Sequence, residues 1–152
     1  MYPFERFTPA AQATLSLAHS ESLRLRCQYI GSEHLLAALV LKRDSIGGDA
    51  LARLGLEHPA VCQSILEIVG SRETPKRTGL PISKVKHVIG HAFNAAGRER
   101  QRSVGTDHLL LGILLEDEDV GARILQDGGL TQPRVEEALA AARDAGVDDS
   151  AA

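Results

Sequence analysis

Small and apolar residues recur along the chain at intervals of three and four, the spacing of one helix face, and no strand-like alternation competes with them. Ala11, Leu15, Ala18, Ser22 and Leu25 predict a first helix, and Val85, Ile89, Ala92 and Ala96 predict a similar one later. The first opens at Thr8-Pro9, a hydroxyl N-cap followed by proline where a missing N–H costs nothing. Second helices open at Gly31-Ser32 and at Gly105-Thr106, where the hydroxyl is expected to be the N-cap. A short third helix is expected over Asp49 to Gly55, ended by Gly55 in the left-handed conformation. Fourth helices run from Pro59 to Gly70 and from Pro133 to Gly146.

Sliding the sequence against itself by 74 residues aligns Gly31 with Gly105, Glu33 with Asp107 and His34 with His108. The same register pairs Gly47 with Gly121, Leu51 with Leu125, Gly55 with Gly129 and Pro59 with Pro133, the mark of a tandem repeat. At the head of each unit it slips by one, since Thr8 lies 23 residues before Gly31 and Ser83 lies 22 before Gly105. The expected architecture is all-α, an eight-helix bundle of two pseudo-symmetric four-helix repeats. A single domain over 1–152 divides into repeat one at about 4–70, a breaker-rich connector at about 71–81, repeat two at about 82–146 and a disordered tail at 147–152.

Composition narrows the function. The chain is 43% hydrophobic but only 3% aromatic, in keeping with a helical core of aliphatic side chains. A formal charge of −3 gives no pull toward nucleic acid or anionic membrane, so neither is expected as a partner. No apolar run approaches the roughly 18 residues of a membrane span, and "MYPFERFTP" does not read as a secretory signal, so a cytoplasmic protein is expected. Cys27 and Cys62 lack paired-motif spacing and read as free, buried thiols. A monomer is expected, because the two repeats can bury each other's apolar faces.

"FERFT" at Phe4–Thr8, "YIGSEHLLAAL" at Tyr29–Leu39, "LARLGL" at Leu51–Leu56 and the second copy "VGTDHLLLGIL" at Val104–Leu114 resemble the amino-terminal domain of the bacterial Clp unfoldases, of the ClpC type. The likeness covers roughly residues 4 to 145. It implies a mobile, non-enzymatic module of regulated proteolysis that docks protein substrates and adaptors ahead of an ATP-driven ring. No G-x-x-x-x-G-K-[ST] phosphate loop occurs, and a chain of 152 residues leaves no room for an ATPase module. The chain is either a free-standing relative of the recognition domain or a piece of a larger protein; its acidic, Ala-rich ending and divergent second repeat lean toward the first.

The resemblance also implies one phosphoarginine-reading pocket in each repeat, with Glu33 and Thr8 in the first and Asp107 and Ser83 in the second. A carboxylate pairs well with a planar guanidinium, and a helix N-terminus is a good phosphate ligand. An acid in the first turn of a helix equally complements the helix dipole. Asp is one methylene shorter than Glu and its partner follows the one-residue slip, so the second pocket is expected to be the more altered. His34 and His108 read as helix-stabilising residues.

His87 and His91 have a zinc-compatible spacing, but "HVIGH" lacks the acid of a metalloprotease helix and both fall off the apolar stripe. They read as a solvated face, so a metal-dependent hydrolase is disfavoured and no metal or cofactor is expected. The run Arg98 to Arg102 offers a local basic spot, matched by Arg24 and Arg26 one repeat earlier. Tyr2, Phe4 and Phe7 crowd the N-terminus, either as a lock on the core or as an edge for peptides. In the family that surface receives certain cyclic peptide antibiotics, so the alternative function is a sink that sequesters them.

Overall fold

The computed structural model describes residues 4–27, 29–70 and 82–152; Tyr2 and the connector at 71–81 lie outside the described residues, as does the Ser83 side chain. A 3-10 turn, Phe4–Arg6, leads into α1 (Pro9–Arg24), α2 (Ser32–Leu41), α3 (Ile46–Arg53) and α4 (His58–Ile65), whose end continues as one π-helical stretch, Leu66–Gly70. The second repeat follows as α5 (Ile82–Arg98), α6 (Thr106–Leu115), α7 (Val120–Asp127) and α8 (Gln132–Asp144). No strand occurs among the described residues, only an isolated parallel bridge between Phe7 and Val104. None of the described helices is long and apolar enough to cross a membrane.

Helices α2, α3 and α4 start 74 residues before α6, α7 and α8, and α1 ends 74 before α5. Helix α1 starts 73 before α5, so α5 gains a residue at its head and Ser83 falls within it, opposite in sense to the slip between Thr8 and Ser83. The third helix begins at Ile46, three residues earlier than the spacing suggests, because Ser45 caps it by accepting from the Gly48 N–H at 3.0 Å. Gly55, Gly129 and Gly146 take positive φ just past α3, α7 and α8, where the chain must turn out of the helix. Arg26 and Arg100, a repeat apart, do the same past α1 and α5.

The motif helices form the centre. Nearly all of α2, from Ser32 to Val40, is buried, and α6 likewise from Thr106 to Leu110 and at Gly112 and Ile113. Both are apolar on all sides, and such a helix is stable only inside. Leu35, Leu36, Leu39, Leu109, Leu110 and Ile113 are fully enclosed, each stabilising by about 1.5–3 kcal/mol. The outer helices lean on them through small faces, Ala11 and Ala18 of α1 and Val88, Ala92 and Ala96 of α5. The repeats interlock: α2 packs on α7, and α3 on α6 and α8.

A reciprocal clasp holds this interlock. The N-caps of α2 and α6 are Gly31 and Gly105, not the hydroxyls after them. The Ser32 hydroxyl crosses to the other repeat and accepts from the Gly121 N–H in α7 at 2.9 Å; the Thr106 hydroxyl accepts from the Gly47 N–H in α3 at 2.7 Å. Each repeat therefore caps the other's third helix. A Cβ on Gly47 would meet the Thr106 carbonyl at 2.8 Å, and one on Gly121 the Ser32 Oγ at 2.8 Å, which explains why both positions are glycine. The capping of α2 and α6 falls to the histidines: His34 Nδ1 accepts from Gly31 N–H and His108 Nδ1 from Gly105 N–H, both at 2.9 Å.

The chain's ending corrects one expectation. Residues 147–152 do not trail as a disordered tail; Asp149 is buried, and Lys42 Nζ donates to the Ala152 carbonyl at 3.0 Å. Composition alone suggested disorder, but the Asp149 carboxylate finds a cluster of unpaired donors on the body of the protein.

Candidate functional site

That cluster lies where the two repeats meet at the head of α1. The lead into α1 is stitched to the loop before α6: Thr8 N–H donates to the Val104 carbonyl at 3.0 Å, and Val104 N–H donates to the Arg6 carbonyl at 2.8 Å. Thr8 caps α1, its hydroxyl accepting from the Ala11 N–H at 3.1 Å. The N-termini of α3 and α6 point toward the same spot. Asp149 accepts from Thr106 N–H at 2.7 Å, Thr106 Oγ1 at 2.9 Å, Ile46 N–H at 2.9 Å and Thr8 Oγ1 at 2.9 Å. Two positive helix ends and two hydroxyls thus hold one carboxylate, the donor set of an anion site.

Beside it stands the second-repeat acid. Asp107 is buried and receives the guanidinium of Arg143, from α8, at 2.5 Å. Its other oxygen accepts from the His108 N–H at 3.0 Å, and His108 Nε2 meets Glu99 Oε1 at 2.9 Å. Thr8, Ile46, Glu99, Gly105, Arg143 and Asp149 line, with Asp107, a cavity of about 300 Å³.

The first-repeat acid is housed differently. Glu33 is 1% exposed and accepts from the Tyr29 hydroxyl at 2.9 Å. The Tyr29 ring packs edge-on against His34, 5.5 Å between centroids. His34 is fully buried, its Nε2 has no hydrogen-bond partner among the described residues, and burial pushes its pKa down to about 4 against a smaller upward pull from Glu21.

Thr8 therefore joins Asp107, across the repeat boundary, and not Glu33. It stands at the head of α1, whose 16 residues span about 24 Å, while Glu33 follows the turn at the tail of that helix. The symmetric partner of Glu33 would be Ser83, whose side chain is not described. Sequence reasoning missed Arg143 and Asp149: neither belongs to a repeated motif, and the residues one repeat earlier are Val69 and Pro75.

The remaining candidates separate. Phe7 is buried and meets Phe93 edge-on, with centroids 5.4 Å apart, so it locks the N-terminus; Phe4 is half exposed beside it. Tyr2 lies outside the described residues. His87 and His91 meet an acid the motif lacked, Glu116 at the end of α6: His87 Nδ1 lies 3.3 Å from one oxygen and His91 Nε2 3.1 Å from the other. Burial acts to raise the Glu116 pKa, but the two histidines outweigh it and hold the carboxyl below its ordinary value. Both cysteines are free thiols, half-buried and not enclosed.

The Clp repeat (R) N-terminal domain family matches the chain twice, over residues 6–127 and 81–151. Among curated proteins, the chain is similar to the negative regulator of genetic competence ClpC/MecB of Bacillus subtilis, 36% identical over 128 residues. It is also similar to the chaperone protein ClpB of Oceanobacillus iheyensis, at 34% over 128 residues. Each alignment covers 84% of this chain and 16% of the relative, so the chain spans about a sixth of their length. Solved folds agree. The N-terminal domain of the caseinolytic protease associated chaperone ClpD of Arabidopsis thaliana superposes with a TM-score of 0.69 at 17% identity, over 91% of this chain and 98% of that one. The Hsp104 N-terminal domain of Candida albicans does so at 0.66 and 16%, over 96% and 95%. With family matches that together run from residue 6 to residue 151, on two interlocked copies of one helical unit, the chain belongs to the Clp repeat N-terminal domain family.

Proposed function

We propose that this chain is a protein-recognition module of the Clp unfoldase system, binding protein substrates, adaptors or phosphoarginine-marked proteins, with no ATPase of its own. The observation that carries the reading is the second pocket. There the chain's own Arg143 places a guanidinium on Asp107 while Asp149 places an anion on the N-termini of α3 and α6. Those are the two contacts a phosphorylated guanidinium makes, provided by two separate residues of the chain. A ligand carrying both groups can replace both internal partners at once, whereas arginine or phosphoserine replaces one. In the first repeat the motif's carboxylate is Glu33, which accepts from the Tyr29 hydroxyl.

Calorimetric titration with free phosphoarginine tests this, with arginine and phosphoserine as controls. Saturable heat from phosphoarginine alone, reduced in both Glu33→Ala and Asp107→Ala, is the expected result. Equal responses to all three compounds, or none at millimolar ligand, would overturn the mark-reading function. A second reading, sequestration of cyclic peptide antibiotics, draws on Phe4, which stays 51% exposed beside the lock made by Phe7. It predicts that deleting the gene sensitises cells to such compounds and that Phe4→Ala weakens their binding. We take the module to act as a cytoplasmic monomer, with no nucleic acid or membrane partner.

A further inference from the structure

Away from both pockets, α1 and α4 bring together three side chains of metal-binding chemistry. His58 and Cys62 stand one turn apart on α4 and share a face. Glu21, on the last turn of α1, points at them: its Oε1 lies 2.7 Å from His58 Nε2, and Cys62 Sγ lies 3.5 Å from the same nitrogen. One oxygen, one nitrogen and one sulfur converge, all within 4.8 Å of one another. Zinc bonds of about 2.0 Å to nitrogen and oxygen and about 2.3 Å to sulfur, at tetrahedral angles, set such atoms roughly 3.3–3.7 Å apart. The nitrogen–sulfur separation already fits, and the carboxylate needs to withdraw by about half an ångström.

Arg24 marks the open side of the cluster. Its Nη2 lies 2.9 Å from Glu21 Oε1 and 3.4 Å from Cys62 Sγ, while its Nε donates to Glu21 Oε2 at 3.2 Å. The side chains of Glu21 and His58 are 7% and 23% exposed, but that of Arg24 is 53% exposed and free to swing out. Burial acts to raise the Glu21 pKa, yet Arg24 and His58 together hold it below the ordinary value, so the ligand is an anion at neutral pH. A cation between Oε1, Nε2 and Sγ would take over the place of Nη2, and Nε could keep its bond to Oε2 as an outer support.

We propose that Glu21, His58 and Cys62 form a binding site for a divalent, borderline-soft cation of the zinc type, with a fourth position open where Arg24 now lies. Ligation through His58 Nε2 leaves the imidazole proton on Nδ1, and the Cys62 thiol proton passes to solvent as the metal–thiolate bond forms. Arg24 competes with the metal for the same two atoms.

The test is a cobalt(II) titration of the whole reduced chain, followed by absorption. The expected result is one equivalent bound with a thiolate-to-cobalt charge-transfer band and tetrahedral ligand-field bands, both erased by zinc. The band is expected to vanish in Cys62→Ser, to weaken at least tenfold in affinity in His58→Gln, and to persist in Cys27→Ser and His87→Gln. Arg24→Gln is expected to tighten binding severalfold. Circular dichroism establishes that each variant is folded. No charge-transfer band in the folded wild type, a band that survives Cys62→Ser, or weaker binding in Arg24→Gln would each overturn the site.

Discussion

Among the described contacts, the motif's carboxylate at Glu33 accepts from the Tyr29 hydroxyl, whereas at Asp107 it is met by the guanidinium of Arg143. The same helix start, with the same glycine N-cap and the same histidine closing the cap, carries two buried acids whose described partners differ. The surroundings differ in step. His108 gives its outer nitrogen to Glu99, while one repeat earlier the corresponding position is Leu25 and His34 Nε2 has no hydrogen-bond partner among the described residues. The two copies share what the fold needs, the clasp and the cap, and differ in what lies around the acid. The second pocket has charges of its own at Arg143 and Asp149; the first has Val69 and Pro75 at those positions in the sequence.

The largest effect expected from this asymmetry is in the acid limb of stability. The folded-state pKa of His34 is about 4 against an ordinary value of 6.5, mainly through burial, so the unfolded chain takes up a proton that the folded chain refuses. Its contribution is full above pH 6.5 and is lost as the pH falls through about 4, amounting to something on the order of 3 kcal/mol between neutral pH and pH 4. Urea midpoints measured across that range should fall with pH in the wild type and fall less in His34→Gln, where an amide can still accept from the Gly31 N–H. An unchanged slope in His34→Gln would remove His34 from the account.

Next comes the clasp, whose two halves are unequal. Thr106→Val leaves the Gly47 N–H without its acceptor and Asp149 without one donor, a cost of about 2–3 kcal/mol. Ser32→Ala leaves only the Gly121 N–H unpaired, a cost of about 1–2 kcal/mol. Thermal melts of both variants would show whether Thr106→Val is the more harmful; the reverse order would mean that Asp149 adds nothing to the second pocket.

Much of this arrangement was legible in the sequence, and for identifiable reasons. Helix starts followed from local chemistry: Thr8-Pro9 caps α1 as its residue types require, and Gly55 ends α3 in the left-handed region. The 74-residue register survives because Gly47 and Gly121 sit where any side chain would strike the other repeat. What could not be read was contact between distant positions. Nothing local tells that Thr8 crosses to Asp107, or that Ser32 and Thr106 cap helices of the opposite repeat. Asp149 was hidden for another reason: its segment has the composition of a disordered end, and only the convergence of α3, α6 and Thr8 gives it a place to dock.

The smallest stability effect is expected from Arg143→Gln. The arginine side chain is 40% exposed against 7% for Asp107, and Asp107 faces the cavity, where water can take the place of the guanidinium, so the cost is about 1 kcal/mol. Its removal should matter for ligands instead, by leaving Asp107 to an incoming guanidinium.

The most direct test compares the wild type with Arg143→Gln/Asp149→Asn in an amide-resolved NMR titration with phosphoarginine. The account predicts selective shifts at Thr8 and Gly105–His108 that appear at lower ligand concentration in the double variant, because the chain's own guanidinium and carboxylate no longer occupy the two subsites. Shifts absent from these amides in both proteins, or weaker in the double variant, would contradict it and leave the repeated acid as part of the helix cap alone.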